Sequence, residues 1–162
     1  MLRWLRPASQ VQTVYDIDLR ALRAQGIRGV ILDLDNTIVP WGAHRPSPEL
    51  PGWIAAARDA DLRLCIVSNN MGSRVTKLAT MLGLPVVTGA LKPWTKALRR
   101  ALSVMGTTPE VTALVGDQVL TDILGGNRLG LHTILVRPQS RREFVLTRLI
   151  RLVERAILGG RR

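Results

Sequence analysis

From Gly29 onward, short apolar runs rich in β-branched residues alternate with stretches whose apolar positions recur at helical spacing. The runs at 28–32, 62–67, 85–87, 111–115 and 131–136 predict five strands. The stretches at 48–59, 73–82, 94–105 and 119–129 predict helices, two of them stopped by Gly83 and Gly130. Another helix, over 16–25 and stopped by Gly26, precedes the first strand. Strands that alternate with helices pair in parallel through crossovers. The pattern therefore predicts an α/β fold: a doubly wound, Rossmann-like sheet of five parallel strands flanked by helices.

At 162 residues, with 46% hydrophobic and 22% charged content, the chain fits one domain over 1–162, with its core at about 28–136. Between Thr37 and the second strand there is room for a loop and one helix, and between the second and third strands for one helix. No sizeable cap domain is expected, so the site should be open unless a second subunit serves as its lid; the sequence leaves the oligomeric state undetermined. Cys65 is the only cysteine, which excludes an intramolecular disulfide and makes a cytoplasmic setting the default. No run approaches the roughly 20 apolar residues of a membrane span. The start, residues 1–7, has basic residues but no apolar stretch after them, so it does not read as a signal peptide.

In an open parallel sheet, ligands bind beyond the carboxyl ends of the strands. The first strand runs into Asp33-Leu34-Asp35-Asn36-Thr37, the second ends in Ser68-Asn69-Asn70, Lys92 follows the third, and the fourth ends in Gly116-Asp117, with Asp122 beyond it. Such a set suits phosphoryl transfer, where catalysis is mostly positioning and neutralisation of spread negative charge. A carboxylate that attacks phosphorus gives a covalent aspartyl-phosphate. Asp33 and Asp117, with a backbone carbonyl near Asp35, offer the hard oxygen ligands that Mg²⁺ prefers. Asp35 is then free to act as general acid and base, Ser68 to hold phosphate oxygens and Lys92 to offset their charge.

Asp33-x-Asp35-x-Thr37, Ser68, Lys92 and Gly116-Asp117-x-x-x-x-Asp122, in this order at strand ends, resemble the four motifs of the haloacid dehalogenase superfamily of phosphatases. The resemblance covers roughly residues 28–136. It implies that Asp33 is the nucleophile and Asp35 the acid/base. It implies further that Thr37, Ser68, Asn69 and Lys92 bind the phosphate, that Asp33, Asp35 and Asp117 surround Mg²⁺, and that Asp122 supports Lys92 or the metal. Asp35 argues against a dehalogenase, which has no leaving oxygen to protonate, and a mutase would need a cap. Within subfamily IIIA, the phrase at 32–41, the stretch at 14–18 and Ser68-Asn69-Asn70 look like the YqeG-like group, which is similar to mitochondrial phosphatidylglycerophosphate phosphatases.

Charge bears on the substrate. The net charge is +11, of which residues 137–162 carry +6, a field that attracts anions. Wound as a helix, 141–158 places Arg141, Arg148, Arg151 and Arg155 on one side, with Val145, Leu149, Leu152, Val153, Ala156 and Ile157 on another. Basic amphipathic helices lie in membrane interfaces, although most terminal helices pack on their own core. Leu2, Trp4 and Leu5 among Arg3 and Arg6 could add an interfacial anchor or pack as an ordinary terminus. The expected substrate is phosphatidylglycerophosphate or a related membrane lipid phosphate, met peripherally at the inner membrane face. The alternative is a soluble phosphatase for a sugar, nucleotide or phosphoprotein. A nucleic-acid-binding module with a vestigial site is a third reading; the 4% aromatic content and the intact Asp33 and Asp35 speak against it. Trp41 and Trp94 follow motif residues and either frame the site mouth or pack. His44 and His132 lack partners at ligand spacing, and Cys65 reads as a strand-core thiol.

Overall fold

Strands buried on both faces need continuous apolar runs, and the centre of this sheet is built from them. The computed structural model describes residues 2–140. Its strands are β1 (Ser9–Gln10), β2 (Gly29–Leu32), β3 (Arg63–Val67), β4 (Val86–Val87), β5 (Thr112–Gly116) and β6 (His132–Leu135). All pair in parallel, in the order β1-β6-β5-β2-β3-β4. The helices are α1 (Leu19–Ala24), α2 (Leu50–Asp59), α3 (Ser73–Leu82), α4 (Lys96–Met105) and α5 (Leu124–Leu129).

Side chains alternate between the two faces of each strand. Val30, Leu32, Leu64, Ile66, Ala113 and Val115 pack with the apolar sides of α1, α2 and α3. Ile31, Cys65, Val67 and Leu114 pack with Ala97, Leu98, Ala101 and Leu102 of α4 and Leu129 of α5. The result is three layers, helix on sheet on helix, with no cap domain among the described residues.

The sheet has six strands where the sequence predicts five. The added strand, β1, is two exposed polar residues with no apolar run to mark it. It is held at the sheet edge by backbone bonds from Ala8 to Thr133 and from Val11 to Leu135. The helix predicted over 16–25 begins later, at Leu19, because the Asp18 side chain caps it by accepting from the Ala21 amide. A 3₁₀ turn (Val14–Asp16) fills the preceding residues. The helix predicted over 119–129 opens as a wide π-type turn (Val119–Ile123) before α5 begins.

At the amino-terminal end the packed alternative holds for Leu5 and its backbone neighbours. Leu5 packs against Val119, Ile123 and Leu135, and the Asn127 side chain donates to the carbonyls of Trp4 and Arg6. The amphipathic helix expected over 141–158 lies outside the described residues.

Candidate active site at the carboxyl edge of the sheet

The two central strands, β2 and β5, end side by side, with Leu32 paired to Val115, so the residues that follow them, Asp33 and Asp117, arrive as neighbours. Both are buried. After Asp33 the chain turns tightly: the Ile38 and Val39 amides bond to the Leu34 carbonyl, and Asn36 adopts a left-handed φ of 63°. That turn brings the Thr37 hydroxyl within 3.0 Å of Asp33 Oδ2 and 3.4 Å of Asp117 Oδ1. Thr37, expected on the phosphate, here bridges the two carboxylates. Asn36 fixes the turn from outside, since its Oδ1 accepts from the Trp41 amide and from the Ser140 amide and hydroxyl, while Gln139 donates to the Thr37 carbonyl.

Lys92 comes from the loop after β4 and is buried. Its Nζ donates to Asp33 Oδ1 at 2.5 Å, to Asp122 Oδ1 at 2.6 Å and to the Val67 carbonyl at 3.4 Å. Asp122 reaches it from the wide turn after β5, where Oδ2 also accepts from the Gln118 amide. π-type turns of this kind are frequent at functional sites. Asp122 thus supports Lys92, one of its two expected roles. The Asn69 side chain accepts from the Lys92 amide and pins the same loop. Ser68, at the end of β3, is buried, and its hydroxyl oxygen accepts from the Asn70 amide, so its proton can donate outward.

Three buried carboxylates, Asp33, Asp117 and Asp122, offer oxygens that lie within 4.8 Å of one another. Lys92 is the one buried cationic side chain among the described residues. Fully ionised, the four groups carry a charge of −2, and buried charge is costly unless balanced. Burial pushes the Asp33 carboxyl up to about 6, with the Asp122 charge adding to the effect and Lys92 and Thr37 opposing it. Burial works against the Lys92 ammonium as well, but Asp122 and Asp33 outweigh it and hold the amine protonated far above neutral pH. A divalent cation between Asp33 and Asp117 would cancel the excess charge, so the residues fit a hard metal ion.

Asp35 lies apart from that cluster. Arg74, in the first turn of α3, grips both of its oxygens at 2.6 and 2.7 Å, Asn70 donates to Oδ2 at 2.8 Å, and the Gly42 amide approaches Oδ1 at 3.4 Å. Arg74 also donates to the Ala43 carbonyl. Its role is missing from the sequence reading, though one signal was present: a cation in the first turn of a helix opposes the helix dipole, so it needs an anion from elsewhere. Neither His44 nor His132 belongs to the cluster. Cys65 is a buried strand residue whose thiol is pushed up to about 11 by burial, which makes it inert.

Among known proteins, the family described as HAD-hydrolase-like matches residues 90–148. The chain is 39% identical over 158 residues to the probable phosphatase YqeG of Bacillus subtilis, covering 98% of this chain and 92% of that protein. It is 29% identical over 171 residues to phosphatidylglycerophosphate phosphatase 1, chloroplastic/mitochondrial, of Arabidopsis thaliana, covering 96% of this chain but only 48% of that enzyme. In fold it is similar to the cobalt-bound deoxy-D-mannose-octulosonate 8-phosphate phosphatase (YrbI) of Haemophilus influenzae. That likeness has a TM-score of 0.57 at 17% identity and covers 85% of this chain and 90% of that one.

Proposed function

This chain belongs to the haloacid dehalogenase superfamily of phosphatases, in the YqeG-like group, and we propose that it is a Mg²⁺-dependent phosphomonoesterase working through an aspartyl-phosphate on Asp33. The observation that carries the reading is the buried cluster of Asp33, Asp117, Asp122 and Lys92, assembled from separate strand ends with an excess of negative charge. Mg²⁺, held by Asp33 and Asp117 with the backbone of Asp35 nearby, would screen the repulsion between the attacking carboxylate and the phosphate.

In the first step an Asp33 oxygen bonds to phosphorus as the bond to the leaving oxygen breaks, and Asp35 gives that oxygen a proton. Lys92 and the Ser68 hydroxyl hold the oxygens of the transferring group while charge spreads over them. Asp122 acts through Lys92 and keeps the ammonium in place. In the second step Asp35 takes a proton from water, whose oxygen attacks phosphorus, and the bond to Asp33 breaks to release inorganic phosphate. In the resting structure Arg74 and Asn70 hold both Asp35 oxygens outside the buried cluster, so to give the leaving oxygen its proton the Asp35 carboxyl has to be protonated and to turn out of that grip.

The proposed substrate is phosphatidylglycerophosphate or a closely related lipid phosphomonoester. The likeness to the Arabidopsis enzyme supports this over nearly the whole of this chain, as do the net charge of +11 and a site with no cap domain over it among the described residues. The test is phosphate release from the lipid in vesicles and from a panel of soluble esters, with and without Mg²⁺. Lipid turnover that needs the ion and disappears in Asp33→Asn supports the reading. Rapid turnover of soluble esters with none of the lipid would reject the lipid and leave the alternative, a soluble-ester phosphatase.

A further inference from the structure

Three of the four loops that supply the site, those after β2, β3 and β4, also carry a large apolar side chain that faces solvent. Trp41 (42% exposed) follows the turn after β2, Met71 (80%) follows Ser68-Asn69-Asn70, and Leu91 (71%) and Trp94 (69%) bracket Lys92 and Pro93. Half of the large apolar side chains exposed among the described residues stand here, and exposed apolar side chains gathered in one region mark interaction sites. Leu91 moreover sits at φ 50°, in the left-handed region that a leucine avoids, so the backbone is strained where its side chain stands exposed.

These residues form one rim. Arg74 ties the loop after β2 to the start of α3 through the Ala43 carbonyl and Asp35. The Gly89 amide bonds to the Asn70 carbonyl, and Asn69 accepts from the Lys92 amide, which joins the loop after β3 to the loop after β4. Met71 lies against Gly89, where an added Cβ would meet its Cγ at 3.0 Å. The apolar groups stand on neighbouring loops beside the polar cluster, one or two to a loop and not as a periodic stripe, which suits a soft interface better than a helix or strand of another protein. Tryptophan is enriched where water meets lipid. Arg45 and Lys96 are exposed close to the rim in sequence, and the chain as a whole carries +11, so the matching surface is anionic.

We propose that this rim seats the open site on an anionic phospholipid surface, with Met71, Leu91 and Trp94 entering the headgroup layer so that a lipid phosphate is taken up without leaving the bilayer. The proposal rests on the phosphatase reading for its purpose, but docking can be measured without turnover.

Because Cys65 is buried and unreactive, a thiol at position 71 in a Met71→Cys variant of the full chain takes a polarity-sensitive dye selectively. Val104→Cys provides the control: it lies late in α4, next to Met105, which approaches Gly29 at the amino edge of the sheet. With phosphatidylglycerol vesicles, the dye at 71 should brighten and shift to the blue while the dye at 104 stays unchanged. Phosphatidylcholine vesicles should give little response. A silent dye at 71, or an equal response at 104, overturns the proposal.

In a second arm, Leu91→Asn with Met71→Gln should lower partitioning to phosphatidylglycerol vesicles by about ten-fold or more. Asparagine tolerates the left-handed backbone, so folding is not at issue. Turnover of p-nitrophenyl phosphate should stay within about two-fold of the parent chain, since neither side chain bonds to the cluster. Unchanged partitioning overturns the proposal. Absence of phosphate release by the parent chain from both p-nitrophenyl phosphate and the lipid instead overturns the phosphatase reading and leaves the docking result standing.

Discussion

Gly116 is the last residue of β5, and a single methyl group there tests how the site is held together. A Cβ on Gly116 would fall 2.3 Å from Asp122 Cγ and 2.4 Å from both its Cβ and Oδ2, where ordinary contacts begin at 3.4 Å. Rotation of the Asp122 side chain cannot clear its own Cβ, so the turn at 119–123 has to move by about 1 Å. The 2.6 Å bond from Lys92 Nζ to Asp122 then breaks, leaving a buried ammonium with one carboxylate partner in place of two. Losing one partner of a buried pair costs about 3–5 kcal/mol. For a domain of this size that lowers Tm by roughly 10 °C. Because Lys92 also moves against Asp33, Gly116→Ala should lower kcat/KM by about 100-fold or more, beyond any loss of folded protein.

The mechanism is separated from general damage by a double-mutant cycle in which thermal unfolding and phosphate release are measured. In an Asp122→Gly background the clashing atoms are gone, so adding Gly116→Ala should cost less than about 1 kcal/mol, a coupling of at least about 2 kcal/mol. Equal costs in the two backgrounds would refute the reasoning. So would a Gly116→Ala protein that melts and turns over like the parent.

Four further outcomes follow from the same geometry. Gly126→Ala places a Cβ 2.5 Å from Thr133 Cγ2 and 2.9 Å from Leu114 Cδ2; it should cost about 1–3 kcal/mol in denaturant unfolding while kcat per folded molecule is unchanged. Asp33, with its carboxyl up to about 6 in place of 3.8, makes a proton compete with a divalent cation. Mg²⁺ or Mn²⁺ affinity by calorimetry should drop on the order of ten-fold from pH 7 to pH 5, and Asp33→Asn should remove that slope. In cation-free protein the same group stabilises the fold fully below about pH 4 and loses that contribution, about 3 kcal/mol, as pH rises through 6; denaturant titrations at pH 4 and 7 check the sign. Arg74→Ala should reduce kcat by about 10- to 100-fold with a smaller change in KM, because Asp35 loses both guanidinium bonds. Arg74→Lys restores charge without the fork and should recover only part of the rate; an unchanged kcat in Arg74→Ala would rule out the positioning role.

The fold was legible wherever burial on both faces forced a continuous apolar run. β2, β3 and β5 announce themselves this way, and the helices between them follow from crossover geometry. β1 was not legible because Ser9 and Gln10 contribute only backbone bonds at an exposed edge, and backbone bonding leaves no mark on side-chain composition. The late start of α1 and the wide turn before α5 were hidden for a different reason. A helical period of apolar residues says which side is buried, but it does not distinguish an α turn from a 3₁₀ or π turn at the ends.

The candidate site divides along the same physical line. Asp33, Ser68, Lys92 and Asp117 could be placed from sequence because the strand ends bring them to one edge whatever their side chains do. The ties on the loop after β2 could not, because those are chosen by side-chain bonds between residues distant in the chain: Arg74 with Asp35, Ser140 with Asn36 and Gln139 with Thr37. Such bonds obey no spacing rule. They leave only conflicts with local preference, such as a cation in the first turn of α3 or a leucine at φ 50°. Both fall on a loop or helix start bordering the cluster, as expected if local rules are broken where the site, and not the fold, dictates conformation. The strand ends supply the groups, and these lateral ties hold them in place.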